Sequence, residues 1–401
     1  MIARAKAIVR GEREGTAGRP LEPGGLCRGK QSMAKSIHCS RHLARAAQTT
    51  ALALLTGLGI TSAAVAQDTR EPDGALLPDY ARRLELPAGL RAAPVDNLQL
   101  SNNGLPHILL TGYWPPTNEM VRPFSQSAVQ NPGGWVGENW ENRGYNIYSF
   151  FPEFPNGLNK GEGDFEVDYQ DTSADWWPLL TAMKPIALIT FSRAANNRDW
   201  ELEGGNRTYA TNSWTPDYLA PTRPGPGLPI IDLEPPLTER FSTLPKQAII
   251  NAVLADPALD ALNPYASVID NGTFLSNYIG YHGNWWHDLH SNPSDPAYNV
   301  AGGHIHVGYA MTLAEAVRAT EVTLRAYTPY VDSVILNPRG DMNCDGTVNG
   351  ADIAPFVLTL VDRPAYTAAF PSCFLRRADV NLDAAVSLAD VEPFVQLLLD
   401  E

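Results

Sequence analysis

Short apolar runs alternate with amphipathic stretches along the middle of the chain. Five runs have the length and content of buried strands: HILLTG (107–112), YNIYSFF (145–151), PIALITF (185–191), ASVID (266–270) and HIHVG (304–308). Three stretches have helical periodicity: DWWPLLTAM (175–183), LPKQAIINAVLA (244–255) and TLAEAVRATEVTLRAY (312–327). Strands that alternate with helices predict an α/β fold with a doubly wound, mostly parallel sheet.

This pattern is bounded and interrupted by segments that lack it. Residues 67–104 contain Pro, Ala and Leu without a sustained period, which predicts a linker. The Pro-dense stretch 215–237 is predicted to be an irregular loop. All nine tryptophans fall between residues 114 and 286, and we assign the main domain to residues 105–335.

The amino-terminal region has the pattern of an export signal. From Met33 a basic start is followed by an apolar run over residues 51–60 and by Ala64-Val65-Ala66. This order is typical of a secretory signal peptide, and the apolar run is too short to span a bilayer. We predict a signal at about 33–66 behind an upstream extension. The mature protein would then be periplasmic, secreted or held at the cell surface.

The net charge of the chain narrows the classes of partner it is expected to bind. Residues 1–66 hold ten basic and three acidic side chains, so 20 basic and 41 acidic side chains remain after cleavage, a formal charge of −21. This balance argues against nucleic acid and anionic membranes as partners and favours cation binding.

Cleavage of the signal also removes Cys27 and Cys39. The remaining pair, Cys344 and Cys373, is predicted to form a disulfide in an oxidising compartment.

The carboxyl-terminal region contains a sequence repeat. DMNCDGTVNGADIAPFVLTL (341–360) recurs 38 residues later as DVNLDAAVSLADVEPFVQLL (379–398). Each copy joins a polar loop to an amphipathic helix. Oxygen-bearing residues at alternate positions around a tight turn, closed by a carboxylate at the helix start, match what calcium requires.

The predicted calcium ligands stand at the same loop positions in both copies. They are Asp341, Asn343, Asp345, Thr347, Asn349 and Asp352 in the first copy, and Asp379, Asn381, Asp383, Ala385, Ser387 and Asp390 in the second. The sharp-turn position holds Gly346 in the first loop but Ala384 in the second. An alanine at this position predicts a weaker or strained second site.

Two such loops with similar helices resemble the dockerin type I module, a small all-α, EF-hand-type domain that binds calcium. The resemblance covers residues 339–401. It implies a cohesin-type protein as the docking partner of the tail. A second interpretation stays open, in which calcium and the cysteine pair only fold an exported tail.

Five stretches of the main domain, in order, resemble pyroglutamyl peptidase I, a cysteine peptidase that removes N-terminal pyroglutamate. They are ILLTGYWPPTNEMVRPFS (108–125), SRAANNRDWELEGGNR (192–207), RFSTLPKQAIINAV (240–253), NGTFLSNYIGYH (271–282) and GGHIHVG (302–308). The resemblance covers about residues 105–330. It implies a peptidase domain of α/β fold that acts on a peptide or a small amide.

The resemblance carries the family's catalytic groups onto three residues. Its Glu falls on Glu203, its His on His306 and its nucleophilic Cys on Ser276. The corresponding substrate-pocket residues are Tyr113, Pro116 and Asn196. These pocket residues differ from the family's own, and a few fixed contacts set the specificity of a pocket, so recognition of a pyroglutamyl ring is left open.

A serine at the nucleophile position changes the chemistry. A thiol is readily ionised by an adjacent imidazole, whereas a serine hydroxyl needs a general base that takes its proton during attack. His306 would be this base, and Glu203 the carboxylate that orients it. Two interpretations follow. The domain is either a Ser–His–Glu hydrolase or a catalytically inactive binding domain in which Ser276 only starts a helix.

Clustered histidines support a third interpretation. Five of the eight histidines lie between residues 282 and 306. His287 and His290 would share one helical turn, and His304 lies on the predicted strand at 304–308. With zinc at these three residues, a metal-bound water would replace the serine as nucleophile. Zinc is the less favoured alternative.

Overall fold

The structure is a computed structural model that describes residues 96, 98–154, 160–195, 197–216, 223–224, 234–270 and 272–400. These residues belong to the unit Ala63–Glu401. The predicted signal at 33–66 and most of the predicted linker lie outside the described residues, and so does Asn196 of the predicted pocket.

Ten strands are present in the described residues. They are β1 (His107–Thr111), β2 (Asn146–Phe150), β3 (Pro152–Glu153), β4 (Glu162–Gly163), β5 (Ala187–Arg193), β6 (Asp199–Leu202), β7 (Gly205–Arg207), β8 (Glu239–Phe241), β9 (Asn263–Ala266) and β10 (His304–Val307). Six of them form one sheet in the order β2-β1-β5-β10-β6-β9. Strands β2, β1, β5 and β10 run parallel, β6 is antiparallel to β10, and β9 is parallel to β6.

Eight α-helices are present in the same residues. They are α1 (Thr117–Val121), α2 (Tyr169–Met183), α3 (Lys246–Leu254), α4 (Leu275–Leu289), α5 (Leu313–Ile335), α6 (Ile353–Val361), α7 (Arg363–Ala369) and α8 (Val391–Leu399). None of these helices is both long and apolar enough to cross a membrane.

Helices cover both faces of the six-stranded sheet. Ile108 and Leu110 of β1 pack in the core that also holds α1, α3 and α5, whereas Leu109 packs in the core that holds α2 and α4. Neighbouring strand residues face opposite sides of a sheet, so the two cores lie on its two faces. The predicted α/β fold is confirmed.

The sheet is mixed, and one predicted strand is displaced. The strand predicted at 266–270 lies instead at Asn263–Ala266, and Val268 beyond it is 78% exposed. This strand, β9, is at the edge of the sheet, where Pro264 is tolerated because one side of an edge strand needs no ladder hydrogen bonds. Strand β6, which was not predicted, lies between β9 and β10 and makes the sheet mixed.

A glycine allows α4 to approach β7 closely. Gly280 of α4 faces Asn206 of β7, and a Cβ at this position would lie 2.6 Å from the Asn206 side chain. A larger residue would therefore push the helix away from the strand. This contact sets the position of α4 beside β7.

The two sequence repeats of the tail are also repeats in the structure. Phe356 of α6 and Phe394 of α8 stack with ring centroids 4.0 Å apart. A disulfide joins Cys344 to Cys373. Cys373 and both rings belong to a separate apolar core that the tail residues build for themselves, and Cys344 packs against it.

A buried arginine ties the tail to α5. Arg376 is 4% exposed, and its Nη1 donates to Asp332 Oδ1 at 2.6 Å. Tyr145 Oη donates to the same carboxylate oxygen, and the Arg376 guanidinium lies 4.9 Å from the centre of the Tyr145 ring. The tail is thus packed against the α/β domain through a charged hydrogen bond and an aromatic contact.

Candidate active site

Strand pairing brings the predicted catalytic histidine and glutamate together. His306 of β10 pairs with Ser192 of β5 on one side and with Glu201 of β6 on the other. Residues two apart on a strand point to the same side, so Glu203 follows Glu201 towards His306. The site therefore forms where β5, β10 and β6 meet.

His306 is held through one of its two ring nitrogens. Its Nδ1 lies 3.2 Å from Glu203 Oε1 and 3.7 Å from Glu201 Oε2. Its Nε2 is buried and has no hydrogen-bond partner among the described residues. A carboxylate on one nitrogen fixes the orientation of the ring and leaves the other nitrogen to exchange a proton.

Burial and charge set the protonation of this group. Burial raises the pKa of Glu203, and the neighbouring charge of His306 opposes that rise. Burial alone would lower the pKa of His306, but the nearby carboxylates, Glu203 foremost, outweigh it and raise that pKa to about 9. Burial would raise the pKa of Glu201, but His306 outweighs it and lowers that pKa. His306 is therefore an imidazolium at neutral pH and must lose a proton before it acts as a base.

Amide side chains link Glu203 to the start of α4. Asn206 Nδ2 donates to Glu203 Oε2 at 2.7 Å and to Asn277 Oδ1 at 3.1 Å. All three side chains are buried, and buried polar groups of this kind need such partners. Asn277 follows Ser276 in the chain, so this relay fixes the backbone at Ser276 relative to Glu203.

Ser276 is the second residue of α4 and is 5% exposed. No side chain caps this helix end within the described residues, and the first-turn N–H groups of a helix have no intrahelical partners. When a nucleophile beside such N–H groups attacks a carbonyl, they can donate hydrogen bonds to the oxyanion that forms. Because His306 Nε2 has no partner among the described residues, it makes no hydrogen bond to Ser276 Oγ in this structure.

His304 positions His306 and does not suit a metal. Its Nδ1 lies 2.7 Å from Thr190 Oγ1, its Nε2 lies 2.8 Å from Ser192 Oγ, and burial holds its pKa well below the ordinary value. Its ring packs edge-on against His306 with centroids 4.9 Å apart. Glu203, His304 and His306 have side-chain atoms within 4.8 Å of one another, but hydroxyl groups already engage both nitrogens of His304.

The predicted zinc ligands do not come together in the described residues. His287 Nδ1 lies 3.0 Å from a backbone carbonyl, and His290 Nδ1 lies 2.9 Å from a carboxylate of the following loop. Neither belongs to the group that contains His304. His282 is also engaged, since its Nδ1 donates to the Tyr278 carbonyl at 2.8 Å and burial lowers its pKa to about 4.

The described pocket residues are packed in the interior. Tyr113 and Pro116 are both buried, and Tyr113 belongs to the core beneath α2 and α4. The Tyr113 hydroxyl is hydrogen-bonded to Thr172, and its N–H donates to Thr117 Oγ1 at 2.9 Å. In this structure Tyr113 is a core residue with a satisfied hydroxyl.

The two polar loops of the tail have matching geometry. The closing carboxylate of each loop, Asp352 or Asp390, is buried and accepts three backbone N–H groups of its own loop. The remaining predicted ligands lie on the same two loops, at Asn343, Asp345, Thr347, Asn349, Asn381, Asp383, Ala385 and Ser387. The repeated hydrogen bonds give both loops the same turn.

The first carboxylate of each loop points into that turn. Asp341 Oδ2 accepts from Gly346 N, and Asp379 Oδ2 accepts from Ala384 N. Asp379 Oδ1 is buried and has no partner among the described residues. An orphaned carboxylate oxygen among hydroxyl, amide and carboxylate oxygens fits a hard cation such as calcium.

Three residues of the candidate active site were not predicted. Glu201 could have been found, because charged and apolar residues alternate over 199–203 and place it on the same strand face as Glu203. Asn206 and Asn277 meet across 71 residues of sequence. No local pattern signals such a contact.

No family model matches this sequence, and no curated protein matches it. Among solved structures, the chain is similar to the pyrrolidone carboxyl peptidase from Thermococcus litoralis, with 18% identity over 57% of this chain and 96% of that one, and a TM-score of 0.39. It is also similar to two mutants of pyrrolidone carboxyl peptidase from Pyrococcus furiosus. One has 17% identity over 56% of this chain and 99% of that one. The other has 18% identity over 56% of this chain and 98% of that one. Both have a TM-score of 0.37.

Proposed function

We propose that this protein is an exported, peptidase-like hydrolase that cleaves an N-terminal pyroglutamyl or related amide bond through Ser276, His306 and Glu203. The arrangement of His306 carries this proposal: one ring nitrogen contacts a buried carboxylate, and the other is buried without a partner among the described residues. An imidazole held in this way is suited to exchange a proton with a group brought to Nε2.

In the proposed reaction, Ser276 Oγ attacks the amide carbonyl carbon while its proton passes to His306 Nε2. Glu203 stabilises the imidazolium, and N–H groups at the amino end of α4 hold the oxyanion. Cleavage of the C–N bond releases the amine, which takes the proton from His306. Water then hydrolyses the acyl-enzyme on Ser276 with the same proton transfers.

Substrate binding is expected to complete the serine–histidine contact. Catalytic hydrogen bonds are often long or absent in substrate-free structures and tighten in the complex. Ser276 stands in the first turn of α4, and Asn277 anchors the backbone of that turn to Asn206. A rotation of the Ser276 side chain would then be the principal change.

For the tail, we propose calcium binding in both loops and docking to a cohesin-type protein partner. The orphaned Asp379 oxygen supports a cation in the second loop. Exposed apolar side chains recur at equivalent positions of α6 and α8, at Val357 (48%) and Val395 (47%). Exposed apolar side chains at repeated positions suit a protein partner. Bound calcium would neutralise the loop carboxylates and order the turns.

The competing function is a catalytically inactive domain used for binding. It is favoured by the charged state of His306 at neutral pH, because an imidazolium cannot accept the proton of Ser276. The two functions differ in whether hydrolysis appears once His306 is neutral. Assays for this protein therefore belong above the pKa of His306, at about pH 9.5.

Hydrolysis of fluorogenic pyroglutamyl and aminoacyl amides tests the proposal. We expect the wild type to turn over and Ser276→Ala to lose at least about 10³-fold in kcat. Ser291→Ala, at an exposed serine beyond α4, is the matched control and should leave the rate unchanged. If wild type and Ser276→Ala are equally inert while Ser276→Cys gains activity, the domain is inactive. Activity that a chelator removes and Ser276→Ala spares would favour zinc.

A further inference from the structure

Two arginines of the tail contact each other's repeats. Arg339 and Arg377 stand two residues before the first and the second loop, at equivalent positions of the repeat. Arg377 Nη1 donates to Asp341 Oδ2 of the first loop at 2.7 Å. Arg339 Nη1 donates to the Asp379 carbonyl of the second loop at 2.5 Å and lies 4.0 Å from Asp379 Oδ2. The first carboxylate of each loop is therefore beside a positive charge from the other copy.

Both of these carboxylates are almost completely buried. The side chains of Asp341 and Asp379 are 1% and 2% exposed. A buried carboxylate is costly unless a positive charge accompanies it. A bound cation would supply that charge in a loaded loop. Arg339 and Arg377 also supply it.

We propose that Arg339 and Arg377 are built-in counter-charges, which keep the loops folded without a divalent cation and weaken cation binding in the loop of the other repeat. This rests on the calcium assignment proposed above. A guanidinium that contacts a ligand carboxylate repels an incoming divalent cation. The effect is larger in the first loop, because its arginine–carboxylate distance is 2.7 Å rather than 4.0 Å.

The structure and the order of the sequence differ on which loop should change its calcium affinity in Arg377→Gln. Arg377 precedes the second loop in the sequence but contacts the first loop in the structure. Asp383→Ala disables the second loop and isolates the first, and Asp345→Ala does the reverse. Calcium titration calorimetry of the full chain in these two backgrounds therefore shows which loop Arg377 acts on.

In the Asp383→Ala background, Arg377→Gln is expected to tighten calcium binding on the order of tenfold. In the Asp345→Ala background, the affinity should stay within about twofold. Arg198→Gln breaks a partly buried ion pair in the α/β domain and is the matched control, which should change neither value. Unchanged or weaker binding in the first loop, or a change confined to the second, overturns the proposal.

A second measurement separates this proposal from the calcium assignment. If the wild type binds no calcium, the calcium assignment fails, and thermal unfolding in chelator decides the role of the arginine. Arg377→Gln is expected to lower the unfolding midpoint, and the shift should shrink in an Asp341→Asn background, where the charge it offsets is gone. If the midpoint falls equally in both backgrounds, the loss of stability comes from the hydrogen bond that Arg377 Nε donates to the Ile335 carbonyl, and the proposal is overturned. A midpoint that does not change in either background would also overturn it.

Discussion

His306 Nδ1 lies 3.2 Å from Glu203 Oε1, and the opposite ring nitrogen of His306 is buried without a partner among the described residues. Glu203 is in turn held by Asn206 at 2.7 Å, so the carboxylate that orients the imidazole is itself oriented. A second carboxylate, Glu201, lies 3.7 Å from the same nitrogen. The geometry and the protonation of His306 therefore depend on two carboxylates with different surroundings.

Hydrolysis should be slow at neutral pH and rise as the pH passes through about 9, because His306 must be neutral to accept the proton of Ser276. Glu201→Gln removes one of the carboxylates that raise this pKa, so the rise should move to lower pH. The measurement is kcat/KM for a fluorogenic amide between about pH 6 and pH 10.5. A profile that is unaltered by Glu201→Gln would contradict this electrostatic account.

Glu203→Gln should lower kcat/KM by about 10³- to 10⁴-fold at the optimal pH, the order found when the orienting carboxylate of a triad is lost. Glu201→Gln is the matched control, since Glu201 is more distant and partly exposed. Its loss should therefore lower kcat/KM at the optimal pH far less than the loss of Glu203. Steady-state kinetics of both variants measure this difference. Equal losses in kcat/KM would show that Glu203 is not the carboxylate that orients His306.

Asn277→Ala should lower the free energy of unfolding by about 1–3 kcal/mol, because it leaves buried hydrogen-bonding groups of β7 without their partner. Denaturant unfolding measures this change. Gln247→Ala removes an exposed amide from α3 and should cost less than about 0.5 kcal/mol. If the two variants unfold alike, the relay from Glu203 to α4 does not contribute to stability.

The sharp-turn residues of the two loops should respond in opposite directions. Gly346 has φ +93°, and a Cβ there would meet nothing within 4 Å, so Gly346→Ala tests the backbone conformation alone. Ala384 has φ +67° in the second loop. Left-handed backbone costs a residue with a side chain about 1 kcal/mol. Thermal unfolding in chelator should show Gly346→Ala destabilised and Ala384→Gly stabilised, and shifts of the same sign would refute this explanation.

The parts that could be predicted from the sequence are those with local patterns. The buried parallel strands, such as β1 and β5, are continuous apolar runs that remain recognisable in isolation. Strand β6 was missed although charged and apolar residues alternate along it, because it is only four residues long. Its partners, β9 and β10, follow it only much later in the chain.

In the candidate site, too, the residues with a local sequence pattern were predicted and the contacts between distant residues were not. Glu203, Ser276 and His306 were predicted because each lies in a short stretch that resembles a family motif. The contact between Asn206 and Asn277 and the exchange of Arg339 and Arg377 between repeats depend on tertiary packing, which no local pattern encodes. The missing hydrogen bond between Ser276 and His306 also depends on packing.

The role proposed for Ser276 is that of a nucleophile activated by His306. Its most direct test is peptide mass spectrometry after treatment of the full chain with a fluorophosphonate at about pH 9.5, above the pKa of His306. We predict an adduct on Ser276 in the wild type and its loss in His306→Gln. No adduct on Ser276, or equal labelling in His306→Gln, would contradict the claim.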